Sequence, residues 1–374
     1  MTKKPSYRFA GYTEPWEEKK LGEVFDIVTD YVANGSFESL RNNVKTYEKD
    51  NFAYMIRLQD ASNSWKGPWL YTDEKGYNFL SKSRLFKDDI LMSNVGTVGR
   101  FFQVPELDRP MTLAPNSVLI RSTSSNNQFL YFMMLTANIQ DQITMRKTPG
   151  VQDKINKTDF KKVIATLPSL PEQEAIGSFF QDIDHLISLQ QRKLEVFKEQ
   201  KKTYLKLLFP AKGQIKPALR FAGFEDEWKE VKLGEYCDIA TGKLDANAMV
   251  TDGEYDFYTS GIQKYKIDVA AFEGPAITIA GNGATVGYMH YADGKFNAYQ
   301  RTYVLSNFLV DRSFIYSEIG RKLPSKIQQE ARTGNIPYIV MDMLTKLDIC
   351  LPSLPEQEAI GSFFQDLDKA IAKH

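Results

Sequence analysis

The sequence predicts an α+β protein: two tandem mixed α/β domains separated by long helices, the second of them short. Three observations carry this expectation. Leu167–Asp184 reads LPSLPEQEAIGSFFQDID and Leu351–Asp368 reads LPSLPEQEAIGSFFQDLD, so the chain repeats itself with the single change Ile183 to Leu367. A 3.5-residue apolar period follows the first copy for several turns. Between the copies, short β-branched and aromatic runs alternate with turn residues. A repeat this long exceeds solenoid and propeller periods, which points to tandem domains.

At 374 residues the chain exceeds one ordinary core and suits two domains with connecting elements. Its composition, 43% hydrophobic and 25% charged, is that of a globular protein. No apolar run approaches the roughly 18 to 20 residues of a membrane span, and MTKKPSYRF has no apolar signal core. Cys237 and Cys350 fit a reducing cytoplasm and form no disulfide framework. Formal net charge is zero, which excludes a protein coated in positive charge but leaves room for a local basic groove. Basic residues gather at Arg146, Lys147, Lys154, Lys157, Lys161 and Lys162, and again at Arg312, Arg321, Lys322, Lys326 and Arg332. A solvated face and a phosphate-binding face both fit such clusters.

The first domain, residues 1–166, opens with Arg8–Ile27, RFAGYTEPWEEKKLGEVFDI, which is matched at over half its positions by Arg220–Ile239. Phe52–Leu58, Asp89–Met92, Val98–Val104 and Ser117–Arg121 read as strands. Gln128–Arg146 has the length and apolar face of one helix. Trp65, Trp69, Tyr71 and Tyr77 crowd one loop region, as core or as a ligand face.

Residues 167–210 form the first helical segment. Pro171 suits a helix start, and Glu172 and Glu174 complement the positive end of the dipole. Ile176, Phe180, Ile183, Ile187, Leu194, Phe197, Tyr204 and Leu208 recur in alternating steps, with Gln190 and Lys201 filling the remaining seam positions. Such an a/d seam needs a mate. Ile360, Phe364, Leu367 and Ile371 in the short segment 351–374 supply the same seam. With the second copy about half as long, the Leu194–Leu208 stretch of the first is expected to lie unpaired, a route to self-association.

The second domain, residues 211–350, has strand-like runs at Ala276–Ala280, Val286–Tyr291 and Tyr303–Ser306, and a helical stretch at Ser313–Thr333. The one feature shared by the two interiors is a glycine turn, NVGTVG at Asn94–Gly99 and NGATVG at Asn282–Gly287. Catalytic motifs are missing. There is no G-x-x-x-x-G-K-[ST] loop, and three dispersed histidines with two cysteines give no zinc spacing. The Glu-x-Lys tripeptides at Glu227–Lys229 and Glu230–Lys232 lack a Pro-Asp partner. No cofactor is expected.

The doubled LPSLPEQEAI frame, the Leu-Gly-Glu openings and the GTVG and GATVG turns together resemble the specificity subunits of type I restriction–modification systems, over essentially the whole chain. The resemblance implies two target-recognition domains held apart by helices packed antiparallel as a coiled-coil spacer, each reading half of a split, asymmetric sequence in double-stranded DNA. It also implies that the subunit is not an enzyme itself, docks two methyltransferase subunits and meets translocating nuclease subunits through them. Base reading calls for Asn, Gln and Arg at base edges and phosphate contact for basic residues. The candidates are Asn94, Thr97 and Arg100 with Arg146 and Lys147, and Asn282, Thr285, Gln300 and Arg301 with Arg332. A coiled-coil scaffold with two protein-binding domains and no DNA is the alternative that the repeat leaves open.

Overall fold

The computed structural model describes residues 5–148, 150, 152–330 and 337–374. They fall into two compact units, Met1–Ile187 and Ser188–His374.

In the first unit, Ile27–Asp30, Val118–Arg121, Ile90–Met92 and Phe101–Gln103 lie in that order in an antiparallel sheet. Successive strand residues face opposite ways. Ile90, Met92, Val118 and Ile120 therefore join one core with helix residues Phe129, Leu130, Ile139 and Ile143. Leu91 and Leu119 point the other way, into a core with Tyr54, Ile56, Met111 and Leu113. Burial on both faces explains why these strands read as unbroken apolar runs. The second sheet runs Thr46–Tyr47, Tyr71–Thr72, Ala53–Ile56, Met111–Leu113, Arg84–Leu85, with Ala53–Ile56 and Met111–Leu113 parallel.

The second unit repeats this plan. Asp238–Thr241, Thr302–Ser306, Ala276–Ala280 and Met289–Ala292 form the antiparallel sheet in the corresponding order. A second sheet again contains one parallel pair, Tyr255–Tyr258 with Lys295–Ala298. Each unit is closed by a short ladder, Glu17–Lys20 with Ile164–Leu167 and Lys229–Lys232 with Asp348–Leu351. Interiors with little sequence in common thus follow one topology.

The expected strands are present, shortened to Ala53–Ile56, Ile90–Met92, Phe101–Gln103 and Val118–Arg121. The single helix expected over Gln128–Arg146 is two, Asn127–Met134 and Ala137–Arg146. The break is made by side chains that bond freed carbonyls. Thr136 Oγ1 donates to the Met133 carbonyl at 2.7 Å and Gln140 Nε2 to that of Met134 at 2.7 Å. The later helix is Arg312–Glu330, and Thr333 lies outside the described residues.

The repeated frame opens the long helix Leu170–Leu207 and the closing helix Leu354–Ala372. Its inward residues have structural duties. Glu172 and Glu356, 1% and 0% exposed, each take a forked pair of bonds from an opening arginine. Arg8 Nε and Nη2 lie 2.8 and 2.5 Å from Glu172, and Arg220 Nε and Nη2 lie 2.9 and 2.6 Å from Glu356. Gln173 Oε1 accepts from the Asn126 amide and Gln357 Oε1 from that of Asp311. Gly177 and Gly361 allow close approach, since a Cβ there would meet the amide nitrogens of Phe129 and Phe314 at 2.9 and 2.8 Å.

One expectation is reversed. The Leu194–Leu208 stretch is the paired part of the long helix. Antiparallel packing brings the start of the closing helix to the end of the long one. Phe197 lies against His374, Lys201 pairs with Asp368 at 2.5 Å, and Tyr204 meets Phe363 edge-on at 5.1 Å. Leu208 is buried. Self-association through that stripe therefore loses its basis. Of the apolar seam residues, the exposed ones lie earlier, at Phe180 and Ile187.

Candidate nucleic-acid interface

Both glycine turns join the inner and outer strands of their sheets: Ile90–Met92 to Phe101–Gln103, and Ala276–Ala280 to Met289–Ala292. Gly99 and Gly287 close them with φ of +83° and +84°, a conformation that L side chains avoid. Each also lies against a helix. A Cβ on Gly99 would sit 3.2 Å from Gln140 and Ile143, and one on Gly287 would sit 2.9 Å from Ile327. The shared Thr-Val-Gly is thus a turn pinned to a helix.

Each turn is stitched to the chain that follows that helix. The Gly96 amide donates to the Asp153 carbonyl and the Ile155 amide to that of Asn94. In the second unit the Ile339 amide donates to the Gly281 carbonyl at 2.7 Å, and Asn282 bridges to Tyr338.

The candidates differ in surroundings. Thr97 and Arg100 are exposed, with the Arg100 guanidinium 5.1 Å above the Phe102 ring. Asn94 has a buried Oδ1 without a hydrogen-bond partner, whereas Asn282 Oδ1 accepts from Ser260 Oγ at 2.5 Å. Matched in sequence, the two asparagines are unmatched in environment. Thr285 Oγ1 donates to the Ser260 carbonyl, so Asn282 and Thr285 fasten the turn to the loop at Ser260. Gln300 and Arg301 are exposed, and the Arg301 carbonyl accepts from the Gly281 amide at 2.9 Å. Asn282, Thr285 and Arg301 are therefore brought together. Arg146 donates to the Gln142 carbonyl, and Lys147 is paired with Asp153 at 2.6 Å. Arg332 lies outside the described residues.

The basic clusters are largely neutralised within the chain. Lys157 pairs with Asp30, Lys162 with Asp159, Arg312 with Asp293, and Arg321 and Lys322 with Glu318. Arg100 and Arg301 stand out as exposed cations at the turns.

Sequence reasoning missed Ser260, Tyr288, His290 and Tyr338. His290 Nε2 lies 3.4 Å from the Gly261 carbonyl, and burial lowers its pKa, favouring the neutral ring. Tyr288 meets it edge-on at 4.9 Å and Tyr338 is exposed. The run Tyr288–Tyr291 reads only as a strand, since no local pattern places it beside Ser260. The aromatic loop of the first unit turns inward, with Trp65, Trp69 and Tyr71 packed on the Tyr54 core.

No group of three or more metal-ligating side chains occurs among the described residues. Burial pushes the Cys237 thiol up to about 12 and raises that of Cys350, keeping both protonated. The Glu-x-Lys residues Glu227 and Lys232 pair with Lys216 and Asp348. No helix among the described residues is long and apolar enough to cross a membrane.

A family model described as the type I restriction modification DNA specificity domain matches residues 13–199 and 225–374. The type I restriction enzyme EcoDI specificity subunit of Escherichia coli is 40% identical over 147 residues, 39% of this chain and 32% of that subunit. That match spans about a third of the relative's length. The crystal structure of a type I restriction-modification system S subunit from M. genitalium aligns with a TM-score of 0.63 at 16% identity, covering 98% of this chain and 92% of that one. At that identity the likeness is one of fold.

Proposed function

The chain belongs to the type I restriction–modification DNA specificity family, and on that premise we propose that it reads a split DNA sequence through residues 1–166 and 211–350. One observation carries the reading. Two units of one topology present a shared Asn and Thr beside different groups at corresponding turns, Asn94 and Thr97 with Arg100 in one and Asn282 and Thr285 with Tyr288 and Arg301 in the other. A common scaffold with different reading groups is what an asymmetric target requires. Arg can bond guanine and Asn adenine in the major groove, while Arg146, Lys147 and Arg332 serve phosphate and register. Lys147 would exchange Asp153 for a phosphate oxygen, an electrostatic step sensitive to salt.

The helical segments 167–210 and 351–374 are proposed to dock two copies of a methyltransferase subunit, through which translocating nuclease subunits join. Supporting this, Leu170, Pro171, Glu174, Ser178 and Asp182 are exposed and identical to Leu354, Pro355, Glu358, Ser362 and Asp366, which are also exposed. Packing inside the chain does not require that identity, whereas two copies of one partner do. The chain itself supplies specificity and no catalysis.

The test is to co-purify the chain with its methyltransferase subunit and map methylated bases in cells expressing both. The expected result is a motif in two halves separated by a fixed gap and methylated on both strands. Stable assembly with duplex binding indifferent to salt would favour the protein-binding scaffold instead.

A further inference from the structure

The residue that leaves each glycine turn stands on an aromatic ring. Arg100 follows Gly99 and Tyr288 follows Gly287, each immediately ahead of the outer strand of its sheet, Phe101–Gln103 or Met289–Ala292. Residues two apart on an extended chain share a face. The Arg100 guanidinium accordingly lies 5.1 Å from the centroid of the Phe102 ring, and Tyr288 meets His290 edge-on at 4.9 Å.

The two rings are anchored alike. Phe102 packs on the core of Tyr54, Ile56, Leu91 and Met111. His290 packs on Tyr258 at 5.3 Å, and Tyr258, 2% exposed, belongs to a core with Phe296 and Val304. Burial lowers the His290 pKa, so the ring is neutral and offers an aromatic face where a phosphate contact would need a cation. The groups that the rings carry are open to a ligand. Arg100 and Tyr288 are exposed, and among the described residues neither the guanidinium nor the hydroxyl has a hydrogen-bond or ion-pair partner. The carried residue thus differs between the units, while the residue beneath it is a ring in both.

We infer that Phe102 and His290 are positioning residues for sequence specificity, each holding the group two residues before it, Arg100 or Tyr288, at one equivalent place in its half-site. An arginine there reads guanine through paired donors, whereas a tyrosine offers one hydroxyl and a ring. A long side chain held before binding loses less freedom on binding, and the contact gains what is saved. The cation over Phe102 and the edge-on pair at His290 are the two contacts that do the holding. This inference rests on the DNA reading.

The full chain is expressed with its methyltransferase subunit, methylated bases are mapped, and the purified complex is titrated with the mapped duplex and with a scrambled one. Phe102→Leu keeps an apolar side chain on the core and removes the ring, whereas Phe102→Tyr keeps both. The leucine variant should relax one position in the half read by residues 1–166 and leave the other half unchanged. It should also cut the ratio of specific to scrambled affinity roughly tenfold, and the tyrosine variant should retain that ratio. His290→Leu and His290→Phe should behave in the same way in the half read by residues 211–350. On an Arg100→Ala background Phe102→Leu should cost nothing more, because a positioning residue acts through the group it holds. Leucine variants that leave motif and ratio unchanged, or that weaken specific and scrambled binding alike, would overturn the inference while the parent's split motif sustains the DNA reading. A parent that methylates no split motif would remove that reading and the inference with it.

Discussion

Arg220 and Glu356 are 136 residues apart in the chain and form a forked ion pair at 2.6 and 2.9 Å, as Arg8 and Glu172 do in the first unit. The carboxylate of Glu356 is fully buried, so removing its cation leaves an uncompensated charge. Arg220→Ala is expected to cost about 3–5 kcal/mol, read as a lower denaturant midpoint. A midpoint unchanged from the parent would deny the pair its role. Arg301 sits on the surface, where its loss should leave stability within about 0.5 kcal/mol. Arg301→Ala should instead weaken specific DNA binding by ~1–3 kcal/mol while sparing random-sequence binding. Equal losses on both would reassign it to phosphate. The type of these residues is plain in the sequence, but their partners are not. Nothing local distinguishes the paired Lys147 from the exposed Arg100, because the pairing of Lys147 depends on a chain reversal that brings Asp153 back to it.

Among the elements, the long helix is legible from its period and its end from Pro210, because each seam position repeats within the reach of one turn. Which half of it is covered is not. Antiparallel packing reverses the order of contacts, so a short closing helix covers the end of the long helix and leaves the earlier seam residues Phe180 and Ile187 exposed. Phe209 lies just past the helix and within the core of its unit, so Phe209→Ala should cost about 3–5 kcal/mol. Calorimetry would check this, the expected result being a lower melting temperature for the Ser188–His374 transition. The split between Asn127–Met134 and Ala137–Arg146 was hidden for a different reason. The Thr136 and Gln140 side chains satisfy the broken carbonyls, and intrinsic helix preference carries no record of that.

Across the whole molecule, the two units share strand order where their sequences share almost nothing. Apolar strands buried on both faces accept many different residues of similar size, so topology can persist while letters drift. A modular consequence follows from the proposed function. Exchanging residues 211–350 for the corresponding domain of a relative should change one half of the methylated motif and leave the other half and the gap intact. A change in both halves would mean that the domains read jointly.

The sequence by itself determined the tandem plan, the helical frame and the family, because each is written in residues close together in the chain or repeated letter for letter. The tertiary structure alone decided which repeated residues are buried clamps and which are exposed. It also decided that Asn94 and Asn282 meet different neighbours, and that Phe364 is buried while its repeat Phe180 is exposed. Those outcomes depend on contacts between residues tens to more than a hundred positions apart, whose pairing is set by how whole elements pack.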